Sequence, residues 1–365
     1  MMKFTISRTT LLEALTKVQN VVGSRATIQI LSNALFRAEG GHLSVTTTDL
    51  DISIRCRVEA QVAVEGSTTL PIRLLSGIVR ELPEPSIEID VSEEDIATIQ
   101  CGTSFFKILG LPHSDFPPIP SEDGTVSYRV EAQVLRDMLR KTAYAVSTDE
   151  TRRVLTGILM SFKEGKLTLV ATDGRRLAMI EREIEFPVEA EGDFVLPSKS
   201  AGELIHILGD EGDVRIFMQN GQAVFEAGDT TLSTKLIDNI YPNYRQVIPS
   251  GCDERVVVGR EELMNALRRV SMMRSEKSVS ARLTFADNRL LIVWQNIELG
   301  EARETVPIKY SGKEICVTFN PEYIIDPLRN LESDEVYIEM SNGHSPAIIK
   351  CDQPFLYVLM PLRVN

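Results

Sequence analysis

The stretch Leu167-Thr168-Leu169-Val170-Ala171-Thr172-Asp173-Gly174-Arg175-Arg176-Leu177-Ala178-Met179-Ile180 decides the fold. Two alternating apolar runs flank an Asp-Gly pair, the pattern of a β-hairpin with its tip at Asp173-Gly174. The same strand, Thr-Asp tip and strand stand earlier, at Leu43-Ser44-Val45-Thr46-Thr47-Thr48-Asp49-Leu50-Asp51-Ile52-Ser53-Ile54. From Asp49 to Asp173 the period is about 125 residues, far above the roughly 20–50 of solenoids and propellers, so each copy is a domain with its own core.

Working outward, the first copy opens with a strand at Lys3-Phe4-Thr5-Ile6 and a Ser7 N-cap. Leu11, Leu15, Val18 and Val22 then recur at helical spacing. Leu70-Pro71 places proline at the first position of a second helix, Ile72 to Glu81, and three closing strands follow at 87–91, 96–100 and 104–109. The middle copy repeats this order with Leu135, Leu139, Thr142 and Val146, then Leu196-Pro197, then strands from Val214, Ala223 and Leu232. The last copy does so with Leu263, Leu267 and Val270, then Phe319-Asn320-Pro321, then strands from Val336 and Phe355. Asp326-Pro327 falls inside its second helix and predicts a kink or an early end. The expectation is an α+β chain of three similar domains, 1–123, 124–250 and 251–365, each with two helices and about eight mostly antiparallel strands.

At 365 residues and 43% apolar the chain can bury a sizeable core. Its N-terminus lacks the apolar core of a signal peptide and no run approaches the roughly 20 apolar residues that span a bilayer, so a cytoplasmic location without membrane contact is expected. The five cysteines are odd in number and widely spaced, which reads as ordinary buried thiols; the four histidines show no ligand spacing. No metal and no cofactor are expected. Neither a phosphate loop nor a nucleophile elbow occurs, and Asp173 reads as a hairpin-tip residue, so there is no catalytic site and no enzyme.

The net charge of −13 speaks against a nucleic-acid partner if taken as a total. Sorted by element it reads differently. The three first-helix windows, 7–25, 129–153 and 259–277, hold fourteen basic and eight acidic side chains, which leaves the strands and loops strongly acidic. Solvated helix faces account for one such helix; three equivalent helices on one concave side would make a positive lining that surrounds a polyanion without gripping it.

Thr172-Asp173-Gly174-Arg175-Arg176-Leu177, Tyr241-Pro242-Asn243-Tyr244-Arg245, Phe319-Asn320-Pro321-Glu322-Tyr323 and the terminal Met360-Pro361-Leu362-Arg363, in this order, resemble the bacterial DNA sliding clamps, the β subunits of DNA polymerase III. The opening Met2-Lys3-Phe4-Thr5-Ile6 and the three-copy plan match as well, so the resemblance covers the whole chain. It implies the DNA clamp fold, with each chain half of a closed homodimeric ring around duplex DNA, helices inside. Such a ring holds DNA without sequence preference and tethers the replicative polymerase. Clamp loader, other polymerases and repair proteins would share the tether through short linear motifs.

On the same resemblance the DNA-facing residues are Arg25, Arg73, Arg80, Arg136, Arg140, Arg152, Arg153, Lys199, Lys277 and Arg282. The dimer seam falls on Phe106 and Ile108 of one chain and Met272 and Met273 of the other; strand alternation would send either Phe105 or Phe106 into the core. The partner-peptide groove maps onto Val154, Leu155, Thr172, Gly174, Arg175, Arg176, Leu177, Pro242, Val247, Asn320, Tyr323, Met360, Pro361, Leu362 and Arg363. Its apolar and thioether walls would take Leu and Phe anchors, and its arginines would sit at the rim for acidic flanks. Gln246 and Arg175 stand where the best-known member has Arg and His, which bears on the preferred peptide. The alternative is a three-repeat peptide-binding scaffold that does not act on DNA.

Overall fold

The computed structural model describes residues 1–23, 28–119, 126–219, 221–275, 279–296 and 298–362. Its first segment runs β1 (Met2–Ser7), α1 (Arg8–Val18), β2 (Asn33–Glu39), β3 (His42–Thr48), β4 (Ile52–Glu59), β5 (Gln61–Val64), β6 (Gly66–Pro71), α2 (Ile72–Glu81), β7 (Ser86–Val91), β8 (Ile96–Cys101) and β9 (Ser104–Leu109). The second runs β10 (Val126–Glu131), α3 (Ala132–Thr142), β11 (Gly157–Lys163), β12 (Lys166–Thr172), β13 (Arg176–Glu183), β14 (Gly192–Pro197), α4 (Ser198–Ile207), β15 (Asp213–Gln219), β16 (Gln222–Ala227) and β17 (Thr230–Lys235). The third runs β18 (Glu254–Gly259), α5 (Arg260–Val270), β19 (Ala281–Ala286), β20 (Arg289–Asn296), β21 (Gly300–Lys309), β22 (Ile315–Phe319), α6 (Pro321–Asn330), β23 (Glu335–Met340), β24 (Ala347–Lys350) and β25 (Phe355–Leu359). The order repeats three times, as the hairpin echo implies.

Periodicity explains the local structure. Leu11, Leu15 and Val18 bury one face of α1, whose N-terminus is capped by Ser7 Oγ accepting from Thr10 N–H at 3.4 Å. The helical spacing of Val22 and Val146 overshoots: α1 ends at Val18 and α3 at Thr142, each continuing into a 3₁₀ turn. In β7 the alternation Ile87, Ile89, Val91 is buried and the intervening residues are exposed.

Two compact units result: residues 1–136 with 199–236, and 137–198 with 237–365. Their boundaries cut through the middle segment because its strands join neighbours on either side. In the first unit β17 pairs with β4, completing the order β10-β15-β16-β17-β4-β3-β2-β6; a second sheet runs β5-β1-β7-β8-β9. In the second unit β13 pairs with β25, giving β14-β11-β12-β13-β25-β24-β23-β18. That sheet continues into β21-β20-β19-β22 through only Val257 and Val258 opposite Lys309 and Ile308.

Several details differ from the sequence expectation. The hairpin does not turn on two residues: Thr172 pairs with Leu177, and Asp173 Oδ1 holds the longer loop by accepting the N–H groups of Arg175 (2.8 Å) and Arg176 (3.0 Å). Asp49 Oδ1 does the same for Asp51 and Ile52, and Asn296 Oδ1 for Glu298 and Leu299, so one Asx turn occurs in all three copies. Pro71 is the N-cap of α2, not its first helical residue. Pro327 neither shortens nor ends α6, which has ten residues like α2 and α4. The carbonyl of Tyr323, which loses its helical donor to Pro327, accepts the Tyr357 hydroxyl at 2.7 Å. Cys56, Cys101 and Cys351 are buried as expected, but Cys316 is exposed and Cys252 half-buried.

Candidate partner groove

The hairpin tip between β12 and β13 is built around Arg176. Its Nε donates to Asp173 Oδ2 (3.1 Å), its Nη1 to Asp326 Oδ2 (2.6 Å) and its Nη2 to the Tyr144 carbonyl (2.6 Å). The guanidinium also lies over the Tyr323 ring, 4.3 Å from its centroid. Only 10% of the side chain is exposed, against 22% for Asp326. Arg176 is therefore not a rim cation: it is a buried strut that ties the tip to α6. Arg175, beside it, is exposed and has no ion-pair partner among the described residues, which makes it the cation a bound chain would meet.

The floor next to the tip is apolar. Leu177, Val170, Leu159, Val195, Ile237 and Val358 form one buried cluster, and Val154, Tyr241, Tyr244 and Ile248 pack partly buried against it. Leu155 is anchored nearby by its carbonyl, which accepts Ser147 N–H at 2.8 Å. After β25 the chain runs along the tip: Met360 N–H donates to Arg175 O (2.9 Å) and Leu362 N–H to Thr318 O (2.8 Å). Val247 and Met360 keep exposed apolar side chains, and Pro242 is exposed, while Pro361 and Leu362 are half-buried. Thr172 Oγ1 donates to Arg176 O (2.6 Å) and accepts Gly174 N–H (3.1 Å). Gly174 has φ +86°, and a Cβ there would lie 3.1 Å from Arg152 Nη1. Asn320 has a local task, capping α6 by accepting Glu322 N–H at 3.1 Å. Arg363 lies outside the described residues.

The basic residues divide. Arg136 bonds Asp210 and the Leu208 carbonyl, Lys199 bonds Asp49, and Arg73 donates to Val22 O at 2.8 Å. Arg152 belongs to the hairpin, donating to Asp149 Oδ2 (3.1 Å), Asp173 O (2.8 Å) and Ser147 Oγ (3.1 Å). Arg80, Arg140, Arg153 and Arg282 are exposed without an ion pair among the described residues, though Arg282 stands on β19 and not on a helix. Arg25 and Lys277 lie outside the described residues.

At the proposed seam both aromatics of β9 are exposed, Phe105 by 60% and Phe106 by 39%, because β9 is an edge strand with nothing beyond it. Alternation still sets the faces, since Ile108 on the same face as Phe106 is buried, but at this edge the inward face is left partly uncovered at Phe106. Ile108 is buried in its own unit. Met272 is exposed, and the Met273 carbonyl accepts Asn296 Nδ2 (3.1 Å) at the third hairpin tip.

Asp326, Tyr144 and Tyr357 were not legible as parts of the site. The Asp-Pro pair signalled a helix disturbance; nothing local marked a carboxylate 150 residues from its arginine.

Among the described residues no helix is long and apolar enough to cross a membrane. Family models described as the N-terminal, central and C-terminal domains of DNA polymerase III beta subunit match residues 2–120, 129–243 and 245–363. The chain is 34% identical to the Chlamydia muridarum beta sliding clamp and 36% to that of Caulobacter vibrioides, in each case over all of both chains. Among solved structures it is similar to the DnaN sliding clamp of Bartonella birtlesii bound to griselimycin, at 34% identity and a TM-score of 0.94. The Pseudomonas aeruginosa clamp bound to the same compound matches at 33% and 0.94; both comparisons cover each chain fully. The chain belongs to the DNA polymerase III beta subunit family, and it is a non-catalytic processivity factor of the sliding-clamp type.

Proposed function

We propose that two copies close head to tail through β9 of one and β21 of the other, around duplex DNA, and that the groove beside Arg175 tethers the replicative polymerase. One observation carries the closure. Two eight-stranded arrays are complete, each joining a β8–β9-like hairpin to a tip strand: β17 to β4, and β25 to β13. Two halves remain among the described residues, β1-β7-β8-β9 with a free β9 edge, and β21-β20-β19-β22, where the edge of β21 away from β20 is paired only at its last residues. Joined between copies they make the same array, a heterologous contact that closes after two chains.

The register carries over too. Ile54 faces Leu232 and Ala178 faces Tyr357; the equivalent seam pair is Glu301 opposite Phe106 of the other copy. Exposed Phe105 and Phe106 then gain cover.

Arg80, Arg140 and Arg153 are the free cations best suited to weak phosphate contacts, and the pairing of Arg136 and Lys199 with carboxylates keeps the lining slippery. The groove suits an extended peptide with Leu and Phe anchors over Leu177 and Val358, its acidic flank toward Arg175. Clamp loader, other polymerases and repair proteins would compete for it in the cytoplasm. A scaffold acting without DNA is disfavoured by membership of the family. Loaded protein should stay on nicked circular DNA and leave after linearisation; equal loss from both refutes the ring. Deleting 360–365 should abolish capture of a polymerase-tail peptide while the solution mass stays dimeric, and unchanged capture refutes the groove.

A further inference from the structure

Duplication has placed a second cavity where the first copy's tip stands. It measures about 290 Å³ and lies wholly within the first unit. One main-chain hydrogen bond and one strand pair of the groove recur there. Lys235 N–H donates to Asp51 O at 2.9 Å, as Met360 N–H does to Arg175 O at 2.9 Å, and Ser53 pairs with Ser233 as Leu177 pairs with Val358. Pro117 lines the cavity, in the position that Pro242 holds in the later copy.

The chemistry of the walls is changed. Where the groove has Leu177, Val358 and Met360, the cavity has Ser53, Ser233 and Lys235. Ser233 is 5% exposed and its hydroxyl has no partner among the described residues; the Gln222 amide, also lining the cavity, has none either. Ser53 Oγ already donates to Thr48 Oγ1 (2.8 Å), and Thr234 Oγ1 is engaged with Ser200 Oγ (2.7 Å). At the mouth Lys235 and Asp51 neutralise one another at 2.9 Å.

We propose that this cavity is a second peptide site, selective for a carboxamide side chain, Gln or Asn. Among the described residues a hydroxyl and a half-buried amide stand unpaired in one wall, and a carboxamide offers them both a donor and an acceptor. An apolar anchor would strand them, at the cost of a buried unsatisfied group. A charged anchor gains little, because the charged side chains that line the cavity among the described residues, Lys235 and Asp51, are already paired with each other. That the ligand is borne on a peptide rests on the groove reading; the polarity of the pocket does not.

The test uses the full-length isotope-labelled protein and three probes, the Nα-acetyl amides of glutamine, leucine and glutamate. The glutamine probe should shift the Gln222 and Ser233 amide signals saturably and the other two should not. Ser233→Val should weaken its binding about tenfold, the equivalent of one hydrogen bond; Gln222→Ala gives the same readout should valine disturb β17. No saturable shift, an equal response to the leucine probe, or unchanged binding in both variants overturns the proposal. Deleting 360–365 should leave these shifts intact, so failure of the groove and failure of this site give different results.

Discussion

Removing Arg176 separates a strut from a rim charge. Its guanidinium is 10% exposed and satisfies Asp173, Asp326 and a main-chain carbonyl from three different nitrogens. Breaking a buried pair by deleting one partner costs about 3–5 kcal/mol. Asp326 is 22% exposed and regains some water, and Asp173 keeps its two backbone donors, so the low end applies, about 3 kcal/mol. At an m-value of about 3 kcal/mol/M, Arg176→Ala should lower the urea midpoint of the transition that unfolds the second unit by about 1 M. Arg176→Lys should lose most of this too, because one ammonium cannot reach three acceptors in different directions. Peptide affinity should fall in both variants with little dependence on salt, since the tip loses its position. A rim cation would behave otherwise: a stability change within about 1 kcal/mol, with affinity lost in a salt-dependent way. A midpoint shift below about 0.3 M refutes the strut. Arg176→Ala/Asp326→Ala should cost less than the sum of the single variants, because the second removal takes away the orphaned charge.

The Tyr357 hydroxyl, kept protonated by burial, serves the carbonyl that Pro327 leaves without a donor. Tyr357→Phe should destabilise by about 1–3 kcal/mol, and Pro327→Ala should recover part of that loss; a cycle measured by denaturation that shows strict additivity refutes the link. Gly174→Ala should destabilise by about 1 kcal/mol while Leu50→Gly, at φ +80°, should stabilise by a similar amount; thermal unfolding shifts of the same sign would contradict this. Burial raises the Glu203 pKa, and its Oε2 has no hydrogen-bond partner among the described residues. A raised acid favours the folded state below its unfolded pKa and loses that contribution as pH rises through the folded one. Glu203→Gln should therefore raise Tm relative to the parent at pH 8 and not at pH 4, and a pH-independent difference rules it out.

Legibility tracked the range of the interactions. Ser7, Asp173 and Asn320 announce caps and turns because their partners lie two or three residues away. Phe105 and Phe106 were ambiguous because alternation assigns faces but cannot say whether a neighbouring strand is present to cover them. Arg152 reads as one more basic residue until Asp149 and the Asp173 carbonyl engage it.

By itself the sequence determined the threefold plan, the helices and strands, and the hairpin as the mark of both, since these depend on periodicity and turn chemistry repeated along the chain. Tertiary structure alone decided that the middle copy divides its strands between two units, and that Arg176 is held while Arg175 is exposed without an ion pair among the described residues. It also decided that the first tip has a hydroxyl-lined pocket where the second has an apolar groove. The physical reason is distance along the chain. Pairs such as Arg176 with Asp326 or Ser53 with Ser233 form only when folding brings their strands and helices together, and desolvation then sets what each charge or hydroxyl can do.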